Sequence, residues 1–108
     1  MIDGPLVLVV EDDPNIADLV DLYLWKNDFR TIRAVDGATG LAAVRDRRPD
    51  LVLLDIGLPG DLDGFDVCQQ LRASSKVPVI FMTARDDEVH AESPPGMGAT
   101  LVVSLPLA

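Results

Sequence analysis

Apolar residues along this chain come in short solid blocks, separated by stretches in which they recur at helical spacing. Leu6 to Val10 is wholly apolar and rich in β-branched residues, which suits a strand covered on both faces. Acidic residues and Pro14 follow it, a pairing that suits a helix start. Ile16, Leu19, Val20, Tyr23 and Leu24 then predict a helix over about residues 14–26. Asn27-Asp28 breaks it, and Thr31 to Val35 reads as a second strand with Phe29 packed just ahead of it. Asp36-Gly37 opens a second helix that turns Leu41 and Val44 inward. Pro49-Asp50 leads into a third strand, Leu51 to Leu54. Gly57 to Gly64 is rich in Gly and Asp and reads as a loop. Phe65, Val67, Cys68 and Leu71 line a third helix that ends at Ser74-Ser75, and Val77 to Met82 is a fourth strand. Such β-helix-β units predict an α/β fold, a doubly wound parallel sheet with helices on both faces.

The last quarter breaks the rhythm. Asp86 to Glu92 can begin a helix, but Ser93-Pro94-Pro95-Gly96 stops it. Thr100 to Leu105 reads as a fifth strand, with no helix after it before Ala108. A buried parallel strand needs cover on both faces. One sheet face is therefore expected to seek a second copy or another protein, through the final strand and that uncovered face.

Composition narrows the function classes. The 108 residues suit one domain, 1–108, atypical from about residue 93. Nine Lys+Arg stand against eighteen Asp+Glu, a net charge of −9. Direct nucleic-acid contact needs clustered basic residues and is not expected. A 48% hydrophobic content is too high for a disordered acidic tail, and no apolar run approaches the ~18 residues of a membrane span. One cysteine makes no internal disulfide, and one histidine beside it is a poor zinc set. Nothing resembles a secretion signal, so a cytoplasmic location is expected.

Candidate chemistry lies at the strand ends. Ligands of doubly wound sheets bind beyond the carboxyl ends of the strands. Glu11 and Asp12 leave the first strand and Asp55 leaves the third, its expected neighbour. Three converging carboxylates repel unless a cation offsets them, and Mg²⁺ prefers oxygen ligands. Thr83 leaves the fourth strand on the same rim and offers a hydroxyl to a phosphate oxygen. Phosphoryl transfer onto one carboxylate is the implied chemistry.

Several segments, in order and spacing, then resemble the response-regulator receiver domains of bacterial two-component systems. They are Leu8-Val9-Val10-Glu11-Asp12-Asp13-Pro14-Asn15-Ile16, Pro49-Asp50-Leu51-Val52-Leu53-Leu54-Asp55, Leu58-Pro59-Gly60, Asp63-Gly64-Phe65 and Pro78-Val79-Ile80-Phe81-Met82-Thr83-Ala84-Arg85. The resemblance implies a five-stranded flavodoxin-like sheet. It implies that Asp55 accepts a phosphoryl group from a sensor histidine kinase and that Thr83 is the switch hydroxyl. It assigns Mg²⁺ to Asp12 directly, to Glu11 often through water, to Asp55, and to the Gly57 carbonyl. The acidic pair with Asp13-Pro14 is most similar to regulators carrying a winged-helix DNA-binding domain. Activity beyond Mg²⁺-dependent uptake of a phosphoryl group and its slow loss is not expected.

Four departures accompany the match. Asp63-Gly64 falls one position further from Asp55 than the family places it. Leu105 precedes Pro106 where the family has lysine, Val102 stands where an aromatic switch residue is common, and the fifth helix is absent. These changes motivate a competing reading, a phosphorylation-independent docking or dimerisation domain. A hydrolase is disfavoured because no substrate pocket is legible. Other residues read as ordinary structure: His90 and the Arg45-Asp46-Arg47-Arg48 cluster as solvated, Cys68 as core, Trp25 as a helix-end cover, and Asp13 as support for the helix start. Gly37 and Gly40 lack the spacing of a phosphate-binding loop.

Overall fold

The computed structural model describes the backbone of residues 4–83 and 100–104. Five parallel strands form one sheet in the order β2-β1-β3-β4-β5. They are β1 (Leu6–Val10), β2 (Arg30–Ala34), β3 (Leu51–Asp55), β4 (Val79–Thr83) and β5 (Thr100–Ser104). Helices α1 (Pro14–Lys26), α2 (Gly37–Arg47) and α3 (Gly64–Ser74) make the crossovers between the first four strands. The expected flavodoxin-like order is thus observed. The 86–92 helix, His90, Leu105 and the absence of a last helix lie outside the described residues.

Alternation along each strand divides the core. Leu8, Val10, Val52, Leu54, Val79 and Phe81 point to one face, where Val44 of α2 and Val67, Cys68 and Leu71 of α3 cover them. Phe65 meets Phe81 edge to face, with ring centroids 4.9 Å apart. Val7 and Val9 point the other way, toward Val20 of α1, with Ile16, Leu24 and Phe29 beside them. The predicted burial of Cys68 and the packing of Phe29 both hold.

Each helix start is capped by aspartate. Asp13 accepts from the Asn15 amide at 2.9 Å, while Asp36–Thr39 and Asp63–Asp66 form capping boxes. These caps agree with the expected role of Asp13 and fix where the chain enters α2 and α3. Arg48 ends α2 in the left-handed region, at φ 47°. Arg45, Arg47 and Arg48 are exposed, in line with a solvated helix end.

Several boundaries differ from expectation. β2 runs from Arg30 to Ala34, not from Thr31 to Val35, because Val35 is spent on the turn into capped α2 and stands 58% exposed. β4 begins at Val79 rather than Val77, since the Val77 amide is turned toward the Ser75 hydroxyl at 3.1 Å and Pro78 has no N–H. β3 is not sealed on both faces: Leu51 and Leu53 are half-buried, whereas Val52 and Leu54 are fully buried. Among the described residues, α1 is the helix packed on that more open face.

The largest correction concerns α1. Leu19 and Tyr23, expected on its inner stripe, are 54% and 71% exposed. The buried line is instead Ala17, Val20 and Asp21. Asp21 can be buried because Arg33 of β2 donates to it at 2.6 Å and also reaches Asp18 at 2.6 Å. This fork ties α1 to the edge strand. Trp25 also faces the edge strand, donating its indole N–H to the Thr31 hydroxyl at 2.8 Å.

Arg33→Ala leaves the Asp21 carboxylate buried without its cation, and one of its oxygens already has no partner. The expected cost is roughly 2–3 kcal/mol, read by denaturant unfolding. The double change Asp21→Leu with Arg33→Met should recover most of that loss; no recovery would refute the pairing account.

Candidate metal and phosphoacceptor site

Strand register builds the site. β1 and β3 are direct neighbours, with Val10 opposite Leu54. The next residue on each strand is therefore Glu11 and Asp55, side by side at the carboxyl rim. The Glu11 amide continues the ladder by donating to the Ala34 carbonyl at 3.0 Å. On the other flank, Asp55 sits opposite Met82. Carboxylate oxygens of Glu11, Asp12 and Asp55 all lie within 4.8 Å of one another. The three acids named from the sequence are thus brought together.

The three groups differ in surroundings. Glu11 is buried, Asp55 half-buried and Asp12 exposed. Two backbone donors steady the cluster: the Asp13 amide reaches Glu11 Oε2 at 3.1 Å, and the Gly57 amide reaches Asp55 Oδ1 at 3.2 Å. Gly57 is therefore beside Asp55, in contact through its N–H. The backbone of Thr83 ends β4, one step beyond Met82; its hydroxyl lies outside the described residues.

Burial, with the Asp55 charge adding to it, pushes the Glu11 carboxyl up to about 8. Burial also raises Asp55, with the Asp12 charge in the same direction, while hydrogen bonds from the Gly57 amide and Glu11 oppose the rise. Without a cation, burial and the neighbouring charge favour the protonated form of Glu11. A hard divalent ion replaces that proton with a larger charge, so the donor set fits Mg²⁺ on its chemistry.

Residues 7–107 match the family model described as the response regulator receiver domain. This chain belongs to the response regulator receiver domain family. It is 49% identical over 83 residues to the DNA-binding response regulator MtrA of Mycolicibacterium smegmatis, covering 77% of this chain and 36% of MtrA. It is 44% identical over 100 residues to the sensory transduction protein RegX3 of Mycobacterium bovis, covering 93% of this chain and 44% of that protein. The chain thus spans less than half the length of these curated relatives. Among solved structures, it resembles the BeF3-activated receiver domain of Klebsiella pneumoniae RstA. That match has a TM-score of 0.70 and 36% identity, over 77% of this chain and 70% of the other. The receiver's acidic cluster is present here, and no helix among the described residues is long and apolar enough to cross a membrane.

One contact at the site was not legible from the sequence. Gly64 approaches the Asp55 backbone closely enough to leave no room for a side chain. The Asp63-Gly64-Phe65 segment belongs to the receiver resemblance, but it marks the residue and not its close approach to Asp55.

The raised acids give the receiver a defined pH response. Glu11 binds a proton in the folded state over a range where the unfolded chain has released it. Metal-free stability therefore falls as pH rises from about 4.5 toward 8. Thermal melts without divalent ions should show a higher Tm at pH 5.5 than at pH 8, by about 5 °C. Saturating Mg²⁺ should flatten or reverse this slope. A metal-free Tm that rises across that range would contradict the protonated cluster.

Proposed function

We propose that Asp55 is the phosphoacceptor and that a sensor histidine kinase is the donor. The Asp55 carboxylate attacks the phosphorus of a phosphohistidine. An O–P bond forms as the N–P bond breaks, the imidazole leaves, and water later hydrolyses the acyl phosphate. Asp12 and Asp55 would hold Mg²⁺ directly, with Glu11 assisting through water and the Gly57 carbonyl as a further oxygen donor. Bound there, Mg²⁺ offsets the negative charge of the incoming phosphoryl oxygens. The Thr83 hydroxyl receives one of those oxygens. The single observation supporting this reading is the convergence of three carboxylates at neighbouring strand ends.

On this reading residues 1–108 act as one cytoplasmic signalling domain, atypical from about residue 93, without direct contact to nucleic acid. Leu105, where the family has lysine, gives the acyl phosphate no charge-assisted hydrogen bond, so the signal is weakly transmitted.

A second reading, self-association, is favoured by a separate observation. Leu51, Leu53 and Ile80 are only half-buried, although Val7, Val9 and Met82 on the same face are buried, and Val52, Leu54 and Val79 on the other face are fully buried. Three half-buried apolar side chains on one sheet face gain from cover by a second copy.

Three experiments test these readings. Mg²⁺ titration by calorimetry should show affinity falling roughly tenfold or more in Asp12→Asn. In the same preparation, a small-molecule phosphodonor should label Asp55 by intact mass and peptide mapping. A label that persists in Asp55→Asn, or unchanged Mg²⁺ binding by Asp12→Asn, would refute the assignment. For self-association, sedimentation velocity should show a dimer at micromolar concentration, weakened by Val103→Lys. A monomer over the whole range would exclude it.

A further inference from the structure

Gly64 opens α3 directly behind the acceptor. A β-carbon built on it falls 2.4 Å from the Asp55 carbonyl oxygen, 2.9 Å from the Ile56 Cα and 3.1 Å from the Asp55 carbonyl carbon. All three are backbone atoms, so no rotation of a side chain relieves the overlap. The requirement is spatial rather than conformational, because Gly60 is the one described glycine at positive φ.

The surrounding bonds turn this close approach into a clamp. The Gly64 amide donates to the Ile56 carbonyl at 3.0 Å, and the Ile56 amide donates to the Met82 carbonyl at 3.1 Å. Asp55 and Ile56 are thereby held between β4 on one side and the first residue of α3 on the other. The start of α3 is itself pinned, with Asp63 accepting from the Asp66 amide at 2.9 Å and Asp66 accepting from the Asp63 amide at 3.1 Å. On the functional side, the Asp55 carboxylate must stay within reach of Glu11 and Asp12. These come from β1, which α3 does not carry. A push delivered at residue 64 therefore falls on the backbone of Asp55 and Ile56 and not directly on Glu11 or Asp12.

We propose that Gly64 is a positioning residue for the acceptor: the missing β-carbon lets α3 seat against the Asp55 backbone and sets where the carboxylate stands relative to Glu11 and Asp12. This rests on the reading of Asp55 as phosphoacceptor and metal ligand.

Gly37 provides an internal control. A β-carbon there meets Val67 Cγ2 at 2.7 Å, Leu62 Cβ at 2.9 Å and the Leu62 carbonyl oxygen at 3.3 Å. That is also tight, but it presses on Val67 of α3 and on Leu62 of the preceding loop rather than on the acceptor backbone. A merely steric account predicts that the two glycines behave alike. The positioning account separates them.

The test uses the full chain and three measurements on wild type, Gly64→Ala and Gly37→Ala: Mg²⁺ affinity by calorimetry, Tm, and metal-free backbone amide shifts. Wild type must bind Mg²⁺ first; its failure would sink the acceptor reading, and this inference with it. Given binding, Gly64→Ala should lose about tenfold in Mg²⁺ affinity and shift the amides of Asp55, Ile56 and Gly57. Gly37→Ala should lower Tm yet keep affinity within about twofold. Should Gly64→Ala not fold, Asp63→Ala loosens the same helix start without adding an atom, and it should weaken Mg²⁺ binding while Asp63→Asn restores it. Wild-type affinity in Gly64→Ala, or equal losses in the two glycine variants, would overturn the proposal. So would an Asp63→Ala protein that binds Mg²⁺ as wild type does.

Discussion

The parallel register of β1 against β3 is the constraint on which the site depends. Placing Val10 opposite Leu54 makes Glu11 and Asp55 immediate neighbours at the rim. A slip of one residue would turn the apolar side chains of one strand to the wrong face and carry its acid away from the other. Hydrophobic burial and site assembly are therefore set by the same alignment. The even-numbered residues of β1 and β3 seal the α2–α3 side, and that packing fixes the strand alignment that brings the three carboxyl groups together.

Holding them has a cost that the rest of the domain carries. Glu11 is buried beside another carboxylate, which raises its proton affinity and destabilises the ionised form. The compensation lies elsewhere: capped helices, a core sealed by Phe81 and Leu71, and the Arg33 fork that ties α1 to β2. A site that is unfavourable alone and favourable with a divalent cation suits a domain whose chemistry waits for Mg²⁺ and a phosphoryl group.

Much of this was legible in the sequence. Solid apolar blocks marked β1, β3 and β4, the mixed Thr31 to Val35 run marked β2, and turn residues between them marked the crossovers. Strand-end acids named the site, because doubly wound sheets place their ligands there. What stayed hidden depended on pairs distant in sequence. Hydropathy puts Leu19 and Tyr23 inside α1 and Asp21 outside, since it has no knowledge of Arg33 arriving twelve residues later on β2. The tight seat of Gly64 is hidden for the same reason: only the folded path brings it against Asp55. Strand boundaries moved by a residue or two where a cap or a proline decided the last backbone bond.

The central claim is that Glu11, Asp12 and Asp55 form one divalent-cation site at the β1–β3 rim. Crystals soaked in Mn²⁺, which shares the oxygen preference of Mg²⁺ and scatters anomalously, address it directly. An anomalous peak bounded by oxygens of Asp12 and Asp55, with Glu11 alongside, is the predicted result. A peak elsewhere on this acidic surface, with none between those carboxylates, would contradict it.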